Sequence, residues 1–581
     1  MMRKLLLDVL CAALLLVHSA NAEWPADPHV NVPVYVGANA RECRPVPLSD
    51  GTGGAVIVYQ GDTQVSGVAG NIVAKRIKSV GLLDTTWPTQ GCGLYATGFR
   101  GNFWTLEWPP RVPVAEDGLG GALVVYHTDA GTRVQHIRRD GTLDARWPLD
   151  GVDVPSGNAF VGACGDGLGG VFVIWYGEDI TAQHVSEDGS LALGWSSLGV
   201  AVCAQPGSQY DARVVSDAGG GAYLAWTDSR GGENKVFVQH LLGNGQLAPG
   251  WPTDGQPVAL SPGAQERCAV VADGAGGAYV SWEDRRSGDS DLYSAHVIAA
   301  GLDLTWPPNG APVCRSSNDQ SYLSSISDGS GGVIMAWMDY RGSAEPDIYA
   351  QRLTVGADVA PGWPTDGTAL TTSFGSQVYP ALVGDDQHGA IVIWQSYAGA
   401  GGSDVVAQHV RGSGQLDFHW PANGRALTTD PATQWAPSVA RDGQGGAIVA
   451  WQDSRTLGNI GVYAQHVDSS GYLGPAAVDV REGRPAPRVV TLGAPSPTPM
   501  RTQTSFTVGL PAASEVGIEV LDALGRRVRA LHRGTMARGW SRFTWDGRGN
   551  DGQAVAAGLY FVHARTSTSE TSARVVVLSA E

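Results

Sequence analysis

Apolar and polar positions follow one fixed order that recurs along most of the chain. Each copy opens on a short apolar stretch, such as Ala269-Val-Val-Ala272. An Asp-Gly-x-Gly-Gly turn follows, and glycine there supplies positive φ without steric cost. Next comes a run apolar on both faces, as in Ala447-Ile-Val-Ala-Trp451, and then an alternating run, as in Val462-Tyr-Ala-Gln-His-Val467. Continuous apolar residues suit a strand buried on both sides, and alternation suits one that is half-buried. A Trp-Pro-x-x-Gly turn then leads to a fourth short strand. Each copy therefore predicts four strands, and helical periodicity is absent after the first 22 residues.

The aromatic closing the second run marks each copy: Tyr59, Tyr126, Trp175, Trp226, Trp282, Trp337, Trp394 and Trp451. Their spacing is 49 to 57 residues, except for 67 between the first two, where residues 93–109 form an insertion. The second marker, the Trp-Pro step, falls at Trp87, Trp147, Trp251, Trp306, Trp363 and Trp420, with Trp195 filling the slot once before Ser196. The eighth copy runs into Gly474-Pro475 without one. Its missing piece lies at the other end, where Trp24-Pro-Ala-Asp27 and Val32-Pro-Val-Tyr-Val36 match Trp251-Pro-Thr-Asp254 and Gln256-Pro-Val-Ala-Leu260. A linear solenoid gains nothing from a split repeat, whereas a closed ring gains a latch that removes its open edge. The predicted fold is all-β: an eight-bladed β-propeller of four-stranded blades, its N-terminal strand closing the last blade. The repeats resemble those of bacterial secreted propellers.

Residues 1–22 read as a signal peptide, with Arg3-Lys4, an apolar stretch over 5–17, and Ala20-Asn21-Ala22 before the cut. The expected location is secreted, extracellular or on the bacterial cell surface. No later run is long and apolar enough to span a bilayer, so no transmembrane segment is expected. The net charge of −17 argues against nucleic acid, which requires clustered Lys and Arg. Glycine, 79 of 581 residues, is about twice ordinary usage and reflects the number of tight turns. Six cysteines follow the leader: Cys43, Cys92, Cys164, Cys203, Cys268 and Cys314. They fall two per copy in the first, third and fifth copies, which favours disulfides within repeats, with buried free thiols as the alternative.

The propeller is expected over residues 23–480. A Pro-rich linker follows at 481–499, containing Ala494-Pro-Ser-Pro-Thr-Pro499. Residues 500–581 form a second domain with strands expected over 504–510, 515–521, 526–531, 540–545, 558–565 and 573–578, a β-sandwich pattern. The run Val516-Gly-Ile-Glu-Val-Leu-Asp522-Ala-Leu-Gly525-Arg-Arg-Val528, then Gly539-Trp-Ser-Arg-Phe-Thr-Trp545-Asp546-Gly547, then Gly552 and Ala557-Gly558-Leu-Tyr560-Phe, resembles the FlgD-like Ig-like domain and the related C-terminal sorting domains of type IX secretion. That resemblance implies export or surface attachment, contact with a secretion machinery, and no catalysis.

Several patterns carry candidate chemistry. Trp-x-Asp-x-Arg corners occur at Trp226/Asp228/Arg230, Trp337/Asp339/Arg341 and Trp451/Asp453/Arg455, and Trp282/Asp284 precedes Arg285 and Arg286. Asp–Arg pairs can bind anions, but recurrence in several blades favours structural ion pairs. The third-strand histidines His136, His184, His240, His296, His409 and His466 sit one per blade, which favours packing over metal ligation. Each Asp-Gly-x-Gly-Gly turn offers one carboxylate, too few for calcium; Asp546, Asn550 and Asp551 make a slightly better set. No metal and no cofactor is expected. The insertion carries Tyr95, Phe103, Trp104 and Trp108, which could stack on a sugar and are the candidate ligand-binding residues.

G-x-S-x-G, H-E-x-x-H and P-loop motifs are absent. The expected function is non-catalytic binding or scaffolding, with an extracellular polysaccharide or protein as partner. Two alternatives stand beside it. A polysaccharide hydrolase or lyase would place paired carboxylates at one propeller mouth. A structural envelope component would repeat the same residues at both mouths.

Overall fold

The structure, a computed structural model, describes residues 24–36, 43–61, 72–94, 113–128, 131–156, 160–176, 179–399, 401–456, 459–474, 490–492, 500, 504–536, 539–545, 547–550, 553–566 and 569–578. The leader, most of the linker, and Tyr95, Phe103, Trp104, Trp108, Asp546 and Asp551 lie outside the described residues. Among the described residues there is no helix, hence none long and apolar enough to cross a membrane. The chain divides into two compact units after Ala476.

In the first unit the described strands form eight antiparallel sheets, seven of four strands and one of five. Successive strands neighbour one another, so the sheets are meanders, except that Val32–Tyr35 joins the last sheet and Ala311–Cys314 pairs with Asp291–Ile298. The second strands are the apolar runs read from the sequence. Ala278–Asp284, for example, is buried at every position, as are Ala222–Asp228, Val333–Asp339 and Ala447–Asp453. A strand buried on both faces needs a sheet on either side. Apolar clusters accordingly join neighbouring sheets: Val56 and Val58 pack with Val124 and Tyr126, and Phe172 and Ile174 with Leu224 and Trp226. The last such cluster joins Ile448 and Ala450 to Ala55 and Ile57 of the first sheet, with Trp24 and Val34 between them.

The first strand of each sheet packs against the first strands of the sheets before and after it. The series closes where Val46–Ser49 meets Gln434–Arg441. The fold is propeller-like. Its closure uses the chain start as the split repeat predicts: Val32–Tyr35 pairs antiparallel with Gly461–Val467, Val32 opposite Ala464. The indole N–H of each Trp-Pro tryptophan, and of Trp195, donates to a main-chain oxygen of the following sheet at 2.8 to 3.2 Å. Trp24 does the same to Ser79 of the first sheet at 2.8 Å. Within the last sheet the amide of Gln465 donates to Pro25 at 3.0 Å, as Gln239 does to Pro252 at 2.8 Å.

The Trp-Pro-x-x-Gly turn requires glycine for two reasons. At Gly310 φ is +80°, and a Cβ would stand 2.4 Å from Cη2 of Trp282. The expected disulfides do not form: all six cysteines are free, five of them buried. The reason is topological. In each case one cysteine lies on or just before a first strand and the other on the fourth, as with Cys164 and Cys203. Three strand spacings separate them, roughly 14 Å, whereas a disulfide spans Cα atoms about 4.4–6.8 Å apart.

In the second unit the described strands form two sheets. Thr504–Leu510 pairs with Thr491–Leu492 and Gly539–Trp545. The other sheet runs in the order Arg527–Met536, Ser514–Asp522, Gly558–Arg565, Glu570–Val577. Phe506, Val508 and Trp545 from one sheet and Val520, Val562 and Val575 from the other share a core, as a sandwich requires.

Deleting residues 24–36 is expected to lower the melting temperature markedly, because the last sheet loses a strand and the first sheet loses the Trp24 contact. Trp24→Ala alone should cost about 3–5 kcal/mol in urea unfolding. An unchanged melt of the deleted chain would show that the N-terminal strand does not hold the ring.

Candidate functional site

The repeated polar residues are structural. Each turn aspartate caps its own turn; Asp273 Oδ1 accepts from the N–H groups of Ala275 and Gly277 at 2.6 and 2.9 Å. Its Oδ2 meets Nε2 of His296 at 3.0 Å. Burial raises the Asp273 pKa, but the Ala275 N–H and His296 outweigh it, and the carboxyl ends below its ordinary value. All six third-strand histidines meet the turn aspartate of their own sheet at 2.8 to 3.0 Å. In the remaining two sheets Arg76 and Arg352 take that place, on Asp50 and Asp328. The histidines are thus spread one per sheet, and among the described residues no group of three or more His, Cys, Asp or Glu is placed to hold a metal ion.

The Trp-x-Asp-x-Arg corners are also internal. Trp337 Nε1 donates to Asp339 at 2.7 Å, Arg341 grips the same carboxylate, and its guanidinium lies 3.9 Å from the Tyr349 ring centre. In the 282–286 corner Arg286, not Arg285, binds Asp284. A cleft of about 450 Å³ between the first two sheets is lined by Arg76, Arg138, Arg139 and Arg146. Its charge is largely spent internally, on Arg76–Asp84 at 3.0 Å, Arg146–Asp144 at 2.8 Å and Arg146–Glu187 at 3.1 Å.

At the other end of the inner strands the repeat gives way to residues that differ from sheet to sheet. Among the described residues five inner strands bulge there, between Tyr210 and Arg213, Glu266 and Ala269, Ser321 and Ser324, Val378 and Ala381, and Trp435 and Ser438. A bulge re-aims side chains and accompanies functional sites more often than chance. In each bulge a residue other than glycine takes left-handed backbone: Asp211 at φ +54°, Arg267 at +49°, Tyr322 at +54°, Tyr379 at +58° and Ala436 at +49°. For bulky side chains that conformation is strained, and such strain gathers at functional sites.

Three adjacent sheets meet at the centre of this region. The Arg267 guanidinium carbon lies 4.6 Å from the ring centre of Tyr322, in the next sheet. The Tyr322 ring meets Tyr379, one sheet further, edge to face at 5.3 Å and 83°. Beneath them Oε1 of Glu283 accepts the Tyr322 main-chain N–H at 2.8 Å, and Oε2 lies 3.6 Å from Nη1 of Arg267. Glu283 is 6% exposed, whereas the Arg267 side chain is 51% exposed. Burial pushes the Glu283 carboxyl up to about 7, although Arg267 opposes it. Glu266, directly opposite Glu283 in the strand pairing, accepts from the Asn234 amide and is hydrogen-bonded to Tyr210. Asp211 pairs with Arg213 in the neighbouring sheet.

This arrangement offers an exposed cation, half-buried aromatic faces and a carboxyl that titrates near neutrality. It can hold an anionic or hydroxyl-rich ligand, and the carboxyl can exchange a proton there. The sequence-predicted binding residues Tyr95, Phe103, Trp104 and Trp108 lie outside the described residues. Arg267, Glu283, Tyr322 and Tyr379 went unnoticed in the sequence. Their one signal is variation around the ring: the equivalent bulge position holds Asp211, Arg267, Tyr322, Tyr379 and Ala436 in turn, and Glu283 stands where Gln452 stands in the last repeat.

The first unit is propeller-like, and the C-terminal unit is an Ig-like sandwich. Residues 498–570 match the FlgD Ig-like domain family. No curated protein matches the chain. Among solved structures the chain is similar to PorZ, a surface component of the type-IX secretion system of Porphyromonas gingivalis, at 12% identity over 94% of this chain and 73% of that one, with a TM-score of 0.27. It is similar to an ulvan lyase at 11% identity over 77% and 98%, TM-score 0.38. It is also similar to an endo-arabinase from Bacteroides thetaiotaomicron at 14% identity over 44% and 92%, TM-score 0.25.

The Glu283 carboxyl makes stability depend on pH. Its folded-state value lies above its unfolded one, so the folded state keeps the proton over a window where the unfolded state has lost it. Stability therefore falls as pH rises from 4.5 to about 7, by about 3 kcal/mol for this group. Relative to Glu283→Gln, the wild-type unfolding free energy should decline through that window. A difference that stays constant from pH 4 to 8 would mean an ordinary, solvated carboxyl.

Proposed function

We propose that this chain is an exported eight-bladed β-propeller that binds an extracellular polysaccharide, without turnover, where its inner strands bulge, and that its Ig-like domain serves export or surface attachment. One observation carries the binding site: at one end of an otherwise repeating frame the bulge residue changes from Asp211 to Arg267, Tyr322, Tyr379 and Ala436 around the ring, and Arg267, Glu283, Tyr322 and Tyr379 meet there. A purely structural ring would repeat the same residues at both ends. The eightfold count is supported by the eight sheets and the closed series of inner-strand contacts. Export is supported by the leader pattern of residues 1–22 and the FlgD Ig-like match.

A second reading, polysaccharide cleavage, draws support from one specific arrangement. Glu266 and Glu283 face each other across paired strands, and burial holds the second near pH 7. A carboxyl raised towards neutrality by burial is suited to general acid or base work.

A screen of the mature chain against bacterial and plant polysaccharides, with product release followed on every hit, separates these readings. Binding without product is expected, weakened at least tenfold by Tyr322→Ala, because a stacked aromatic contributes about 1.4 kcal/mol or more. Product release would install the second reading, and binding only to proteins would remove the polysaccharide. Residues 485–581 fused to an exported reporter should carry it to the surface in a host with type IX secretion. A reporter retained in the periplasm would make the domain a spacer.

A further inference from the structure

Arg267 is the exposed cation of the asymmetric cluster, and its surroundings are unusual. It is stacked on an aromatic ring, which fixes its plane and leaves its edge able to meet a planar anion in a bidentate pair. Its internal partner, Glu283, stands at 3.6 Å, beyond a close ion pair. The corner arginines, by contrast, hold their aspartates at 2.6 to 2.7 Å. Tyr322 and Tyr379 present half-buried ring faces beside it, the surface a sugar ring packs on. The whole chain carries a net charge of −17, so a polyanion is repelled except where such a cation is exposed.

The residue beneath Arg267 is informative too. Glu283 follows the marker Trp282, and in the last sheet the same place, after Trp451, is held by Gln452. Gln452 Oε1 accepts the Cys43 N–H of the next sheet at 2.7 Å, much as Glu283 accepts that of Tyr322. An amide therefore suffices to brace one sheet on the next, and the carboxyl at 283 adds charge that the brace does not need.

We infer, building on the polysaccharide reading above, that Arg267 is the recognition point for the carboxylate of an acidic sugar unit, and that Glu283 competes with that carboxylate for the guanidinium. A uronate stays ionised throughout the neutral range. Below about pH 7 Glu283 is neutral, and Arg267 is free to take the ligand. Above it the ionised Glu283 draws Arg267 inward and repels the incoming carboxylate. The other groups that act on this pair are Glu266 and Arg285 of the same sheet, Tyr210 and Asp211 of the preceding one, and Tyr322 and Tyr340 of the following one. Tyr340 is pushed above its ordinary value by burial, so it adds no charge in this window.

The test is calorimetric titration of the mature chain with oligogalacturonate, hyaluronan and alginate oligomers, their uncharged counterparts, and polyglutamate, from pH 5.5 to 8.5. Acidic sugars are expected to bind, with affinity falling up to about tenfold per pH unit above 7. Arg267→Gln should abolish that binding and Arg267→Lys weaken it. Glu283→Gln should flatten the pH profile, and the wild-type profile itself is informative should that variant fold poorly. Neutral sugars binding equally, or a flat wild-type profile, would overturn the carboxylate inference and leave polysaccharide binding standing. Equal binding of polyglutamate would overturn the sugar class. No sugar bound at any pH would overturn both readings.

Discussion

The first unit rests on one bond made repeatedly: a buried indole N–H of one sheet donating to a main-chain oxygen of the next. A buried N–H without a partner costs about 1–3 kcal/mol, and the ring around it contributes large apolar burial besides. Each tryptophan therefore fixes two sheets relative to each other. Trp24 is the instance that explains the chain's order. The last sheet lacks a Trp-Pro step of its own, and the first sheet needs one to pack against. Only the start of the chain can supply it once the series has closed, so the first and last sheets become neighbours through Trp24, Val34 and the pairing of Val32–Tyr35.

That frame makes irregularity affordable at one end of the inner strands. The turn aspartates and their His or Arg partners occupy one end, the same design in every sheet. The bulges with Asp211, Arg267, Tyr322 and Tyr379 occupy the other, with left-handed backbone at bulky residues. Such conformations persist only where the surroundings over-determine them. The second strands, buried on both faces and clamped between sheets, provide that constraint immediately behind each bulge.

What was legible in the sequence follows from this division. Repetition exposed the tryptophans, the turn aspartates and the split last repeat, because each recurs at a fixed offset. The C-terminal strands were legible through their turns; Thr504–Leu510 and Gly558–Arg565 were expected at those bounds, and Ser514–Asp522 one residue shorter at each end. The candidate site was not legible. The first strand was read as starting at Ala269, whereas pairing begins at Gln265, so the bulge with Glu266 and Arg267 fell outside it. Bulges have no consensus residue when glycine is not used, and here arginine, tyrosine, aspartate and alanine all serve. The cysteines misled for a related reason. Two per repeat implies closeness along the chain, but first and fourth strands are the most distant pair in a four-stranded sheet.

Glu283 joins the two halves of the design. As a brace it accepts the N–H of a strained Tyr322, so it holds the neighbouring bulge in place. As a buried carboxyl it must lose stability when it ionises, a loss that Gln452 avoids in the equivalent place. A stabilising replacement one atom away in chemistry is the mark of a group retained for something other than stability. The location of the loss matters as well. It falls beside Arg267, an exposed arginine stacked on a ring of the next sheet, so protonation alters the charge presented there without dismantling the frame. The same tyrosine thus links the order of the bulge to the charge state of the site: its N–H reads the Glu283 oxygen, and its ring carries Arg267.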